Sequence, residues 1–138
     1  MKFVIAAILA TSAAALPSNA NDNGNPHIPL VELKLPAPNN YLASDIFKGQ
    51  QIYVDNNRGH TADWDEETWT NFAKSRCILT PGCSTVNSYH LESEIINGTE
   101  KAFWFFELYA GPKSTAADWV HSIFDLTHQR IYTIAFSN

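Results

Sequence analysis

Glu107 is the first residue that needs a chemical explanation. It stands inside the aromatic run 103–109, between Phe105-Phe106 and Leu108-Tyr109. Buried there without a partner, a carboxylate would lose hydration at a cost of several kcal/mol and its pKa would rise. On an open sheet face, beside Phe105 and Tyr109, it would instead be a candidate general base. A glutamate that simply faces solvent is the plain alternative. His90 follows Tyr89 on the preceding run and stands opposite Glu107 if those two strands pair. Together they would form the nucleus of an acid–base site; a packing or surface histidine is the other reading. His121 and His128 lie near the final runs, and His27 and His60 fall in loops. There is no H-E-x-x-H or close Cys/His cluster, so neither a metal nor another cofactor is expected. G-x-S-x-G is absent too, and Cys77 and Cys83 suit a disulfide better than a nucleophile.

Those residues need elements to hold them. The pattern predicts a helix over 63–76, capped by Asp63 or Asp65, with Glu66 and Glu67 in its first turn and Lys74 and Arg76 in its last. Trp69, Phe72, Ala73 and Cys77 share one face of it, which should pack on a sheet. Strands are expected over 30–35, 47–54, 88–96 and 103–109, and two more over 119–124 and 130–136 as a hairpin. In the aromatic strand, Phe103, Phe105, Glu107 and Tyr109 face one way, and Trp104, Phe106 and Leu108 the other. Helix followed by antiparallel meander is an α+β architecture.

Composition narrows the function classes. The 138 residues suffice for one domain. Lys plus Arg is 9 against 14 Asp plus Glu, a net charge of −5, which argues against gripping phosphate backbones by charge. The 4 Trp, 5 Tyr and 8 Phe suit a sheet with a large aromatic core or surface.

Residues 1–20 read as a secretory signal peptide, with Lys2, an apolar stretch from Phe3, and Ser18-Asn19-Ala20 before the cleavage point. A buried N-terminal helix is the alternative. Residues 21–29 form a polar, flexible arm, and 30–138 the domain. Secretion makes a Cys77–Cys83 disulfide the expected pairing, with two free buried thiols as the alternative. Asn97-Gly98-Thr99 is a glycosylation acceptor on a turn.

Four segments in the second half line up with a known order of landmarks. Ser88-Tyr89-His90 stands where Tyr-Pro-His would, and Phe105-Phe106-Glu107-Leu108 where a strand bears a catalytic glutamate. Ala117-Asp118-Trp119-Val120 stands for Ala-Asp-Arg-Val, and 129–137 for a final hairpin strand in which Phe136 occupies the place of a histidine. In these respects residues 85–138 resemble the small secreted guanyl-specific ribonucleases of fungi. The resemblance implies one helix packed on a curved antiparallel sheet, with the functional residues on its concave face. That chemistry needs a base, an acid and a cation for the phosphorane. Glu107 and His90 remain, but Trp119 has no charge and Phe136 no proton to give. Each such loss costs about 10²–10⁴ in rate.

With its leader, the chain looks most like the catalytically inactive ribonuclease-like effectors secreted by powdery-mildew fungi. It departs from them in lacking their Tyr-x-Cys motif, since neither Tyr41-Leu42-Ala43 nor Phe47-Lys48-Gly49 has the cysteine, and in its short Cys77–Cys83 loop. The resemblance implies a secreted, monomeric pseudoenzyme of a fungal pathogen, acting outside the cell or in the host cytoplasm. It would bind a host protein or host RNA, and neither DNA nor membrane, through the former nucleotide cleft. Tyr89, His90, Phe105, Glu107, Tyr109, Trp119 and Phe136 would line that cleft. One alternative is an active secreted endoribonuclease that uses Glu107 and His90 with a relocated acid, for which His121 is the candidate. Another is a secreted β-rich domain unrelated to ribonucleases.

Overall fold

The structure, a computed structural model, describes residues 29–59 and 62–136, without the side chains of 92–96, 100 and 101. The expected leader over 1–20, residues 21–28 of the expected arm, and His27 and His60 lie outside the described residues. In chain order the elements are β1 (Leu30–Glu32), β2 (Tyr41–Ala43), a single helical turn α1 (Asp45–Lys48), β3 (Gln51–Asn56) and α2 (Glu66–Leu79). Then come β4 (Cys83–Ile96), β5 (Thr99–Ala110), β6 (Trp119–His121) and β7 (Leu126–Ile134).

The β4–β5 hairpin organises the molecule. At its tip Asn97 (φ 52°) and Gly98 (φ 75°) both adopt left-handed backbone, which a two-residue type I′ turn requires and which Asn-Gly accepts with little strain. Asn97, the acceptor of the glycosylation triplet, is exposed there. The turn starts the ladder at Ile96 and Thr99, and an irregularity between Leu91 and Glu94 shifts it by one residue, so that Asn87 pairs with Glu107, Tyr89 with Phe105 and His90 with Trp104.

Five antiparallel strands form the main sheet in the order β1-β7-β4-β5-β3, and β2 pairs separately with β6. The α+β class is as expected, but the strands are not a simple meander. After β5 the chain lays β6 against β2, then returns as β7 along the free edge of β4. The hairpin expected between 119–124 and 130–136 does not form. β6 is only three residues long and its register, Tyr41 with His121, is taken by β2. Along 126–134, Leu126, Gln129, Ile131 and Thr133 are all buried, four residues that the long β7–β4 ladder buries and a three-residue partner could not. The strand expected over 47–54 is likewise divided. Ser44 accepts a hydrogen bond from the Phe47 amide (3.3 Å) and caps α1, which carries Phe47 into the interior; the strand proper starts at Gln51.

The start of α2 follows from a reciprocal cap. Asp65 accepts from the Thr68 amide (2.8 Å) while the Thr68 hydroxyl accepts from the Asp65 amide (3.0 Å). This selects Asp65 over Asp63, and the helix runs three residues beyond the expected Arg76. The Thr80 hydroxyl closes it on the Arg76 carbonyl (2.6 Å). Trp69, Ala73 and Cys77 pack against Val86, Phe106 and Leu108, all essentially inaccessible. The Trp69 indole also donates to the Phe105 carbonyl (2.9 Å), pinning the helix to β5. Cys77 and Cys83 form a disulfide that joins the end of α2 to the start of β4. On the opposite face of the sheet, Tyr41, Phe47, Tyr109, Trp119 and Ile131 make a second core under β2, α1 and β6.

Candidate functional site

Glu107 faces away from α2, as strand alternation requires. Its Oε2 accepts from the Tyr109 hydroxyl (2.7 Å) and from Asn87 Nδ2 (3.2 Å), and its Oε1 from the Tyr89 hydroxyl (3.4 Å). Both oxygens are thus engaged by neutral donors from β4 and β5. Among the described residues no Lys, Arg or His lies within ion-pair distance of it. Burial first, and then the charge of Glu107, push both tyrosine hydroxyls far above their ordinary ionisation range.

The arrangement extends inward. Asn87, wholly buried, accepts from Gln129 Nε2 (2.9 Å), and Gln129 Oε1 in turn accepts from the Tyr41 amide (2.7 Å). The chain from Tyr41 through Gln129 and Asn87 to Glu107 therefore ties β2, β7, β4 and β5 together. Satisfied buried networks of this kind hold one geometry, because breaking any member strands the next.

Outward, Glu107 and Tyr109 border a cleft of about 320 Å³. Asp45 and Lys48 of α1, Leu42 and Ala43 of β2, and Gln51 contribute to it, as do Val120 and His121 of β6 and Ser122, Ile123 and Phe124 beyond. The His121 ring stacks on Tyr41 at 4.3 Å. A larger groove of about 440 Å³ runs between α2 and β7, but Arg130 there is already paired with Glu66 (2.7 Å).

The expected site residues are distributed differently. His90 is not opposite Glu107: it pairs with Trp104, three positions away and hence on the other face, with the two rings 4.7 Å apart. Its Nδ1 faces the Thr127 hydroxyl at 3.5 Å. Tyr89, its neighbour, is the residue that reaches Glu107. Tyr109 and Trp119 are buried in the second core, where Trp119 Nε1 donates to Ser114 (2.9 Å), so neither offers an open stacking surface. Phe105 is half-buried and stacks on Tyr89 at 5.7 Å. Phe136 is exposed beyond the end of β7 and does not line the cleft. The face expected to be an open aromatic surface is thus largely covered by β2, α1 and β6.

Asn87, Gln129, Asp45 and Lys48 are the residues that sequence reasoning passed over. Asn87 shares the alternation of Tyr89, which was a signal, whereas Gln129 stands between His128 and Arg130 in a run of mixed polarity that did not mark it. The α1 pair had none. Among the described residues there is no group of three or more metal-ligating side chains, and no helix long and apolar enough to cross a membrane. The chain matches no known family model, no curated protein and no solved structure.

Proposed function

We propose that this protein is a secreted, non-catalytic binding protein of ribonuclease-like character, an effector that engages a host target through the cleft beside Glu107. One observation carries the reading: both carboxylate oxygens of Glu107 already accept hydrogen bonds from Tyr109, Tyr89 and Asn87. Three of a carboxylate's roughly four acceptor positions are thereby taken, which leaves little access for the hydroxyl proton that a general base must reach. Here the carboxylate is instead a fixed anion on a cleft wall. His90, the expected assistant, is on the far side of the sheet. The apolar rim of Val120, Ile123 and Phe124 has the character of a protein-binding edge. A net charge of −5 favours a protein target over a phosphate backbone.

The second reading, an active endoribonuclease, draws on one observation of its own. His121 and Lys48 line the same cleft as Glu107, so an imidazole and an ammonium group accompany the carboxylate. Incubating the oxidised protein with single-stranded RNA, beside Glu107→Gln and His121→Ala, separates the two. No cleavage by any of the three is the expected result. Cleavage by the wild type that is lost in both variants overturns the non-catalytic reading.

A further inference from the structure

The cleft has a chemical bias that points to its occupant. Its fixed charge is Glu107, a carboxylate held by three neutral hydrogen-bond donors and balanced by no cation within ion-pair distance among the described residues. Asp45 and Lys48, of opposite sign and not joined in an ion pair, also line the cleft with the imidazole of His121, so that with a neutral imidazole the formal charges sum to one negative. One negative charge is left over in a partly enclosed space, where attraction for a cation exceeds its value in open water. Around this charge the rim is apolar and open: Ile123 is 92% exposed, Phe124 56% and Val120 50%. Such a rim suits the aliphatic stem of a long basic side chain and the apolar residues beside it. The whole chain, at −5, has the complementary sign for a basic partner.

We infer that the cleft is a subsite for a guanidinium or ammonium group carried on a basic, partly apolar segment of a partner protein, with Glu107 as the counter-anion and Ile123 and Phe124 as the apolar grip. The inference rests on the binding reading above and names the chemistry of the target. A phosphate backbone would meet Glu107 with the wrong sign. The three donors matter because they keep the carboxylate oriented in the absence of ligand, so little ordering remains to oppose binding.

The test is a backbone-amide NMR titration of the oxidised protein with acetyl-Leu-Arg-Phe-amide, run beside the same peptide with citrulline, which keeps the shape and removes the charge. Saturating shifts are expected at the amides of Glu107, Val120 and residues 122–124 at peptide concentrations up to about 5 mM. The citrulline peptide, and Glu107→Gln with the arginine peptide, should each bind at least about tenfold more weakly. Ile123→Ser, at an exposed position that leaves the fold intact, should weaken binding as well. Glu67→Gln on α2 should change nothing. Equal binding of the two peptides, or no shifts at the cleft, overturns the inference. Should Glu107→Gln unfold, the citrulline comparison on the wild type still decides. Uncleaved RNA binding at the same amides would sink this inference and leave the binding function standing, whereas RNA cleavage would remove both.

Discussion

Alkaline pH should destabilise this protein through two tyrosines that the fold keeps neutral. Tyr89 and Tyr109 are buried and donate their hydroxyls to Glu107, and their ionisation is raised well above the ordinary value of 10.0. In the unfolded chain both ionise near pH 10. Above that pH the unfolded state holds fewer protons than the native state. The stabilisation is therefore complete below pH 10 and is lost as pH rises past it. At pH 11 a tyrosine that is ionised only when unfolded lowers stability by about 1.4 kcal/mol, and the pair by about 2.8 kcal/mol. Both side chains are largely shielded from water, so solvent screening does not erase the effect. The measurement is urea unfolding followed by tryptophan fluorescence at pH 9 and pH 11, on wild type and Tyr89→Phe/Tyr109→Phe. The double variant starts less stable, because Glu107 loses two donors, but the wild type should lose about 3 kcal/mol more than the variant between the two pH values. Equal losses would mean that the tyrosines are not held neutral on Glu107, and the clamp on which the functional reading depends would fall with them.

Other outcomes test the supporting structure. Asn87→Ala should cost about 1–3 kcal/mol, because Gln129 and Glu107 each lose a buried partner; chemical denaturation measures it, and no change would show that the network does not hold the site. Replacing Cys77 and Cys83 together by alanine frees a ring closed over a sequence separation of 6. That should lower stability by about 2 kcal/mol, read as a shift of the thermal midpoint. Asp65→Ala should weaken α2 at neutral pH. Hydrogen bonds from Thr68 hold the Asp65 carboxyl below its usual value of 3.8, so its stabilisation is present above that pH and lost as pH falls through the depressed value. The difference between wild type and Asp65→Ala in an acid titration should accordingly vanish at the lowest pH.

Local chemistry was readable wherever neighbours along the chain decide the outcome. The capping residues placed α2 within three positions, since Asp65 and Thr68 satisfy each other. The period of two divided 103–109 into its two faces, and Trp69, Ala73 and Cys77 pack on Phe106 and Leu108 as their spacing implied. Glu107 stood out because a carboxylate inside an aromatic strand must have a compensating environment. Where the sequence misled, the missing information was register. His90 and Tyr89 are adjacent in the chain, and shifting a pairing by one residue exchanges which of them faces Glu107.

The chain by itself therefore determined the α+β class, the helix and its apolar face, the Cys77–Cys83 staple, the Asn97-Gly98 turn and the oddity of Glu107. Each of these depends on residues a few positions apart. Only the tertiary structure decided that β7 returns to β4, that Tyr41, Phe47 and Trp119 cover the second face, and that Asp45, Lys48, His121 and Ile123 meet beside Glu107. Those juxtapositions join segments as far apart in the chain as Tyr41 and Gln129, a separation of 88. They arise from which apolar surfaces remain to be buried once the local elements exist, and no local pattern encodes that competition.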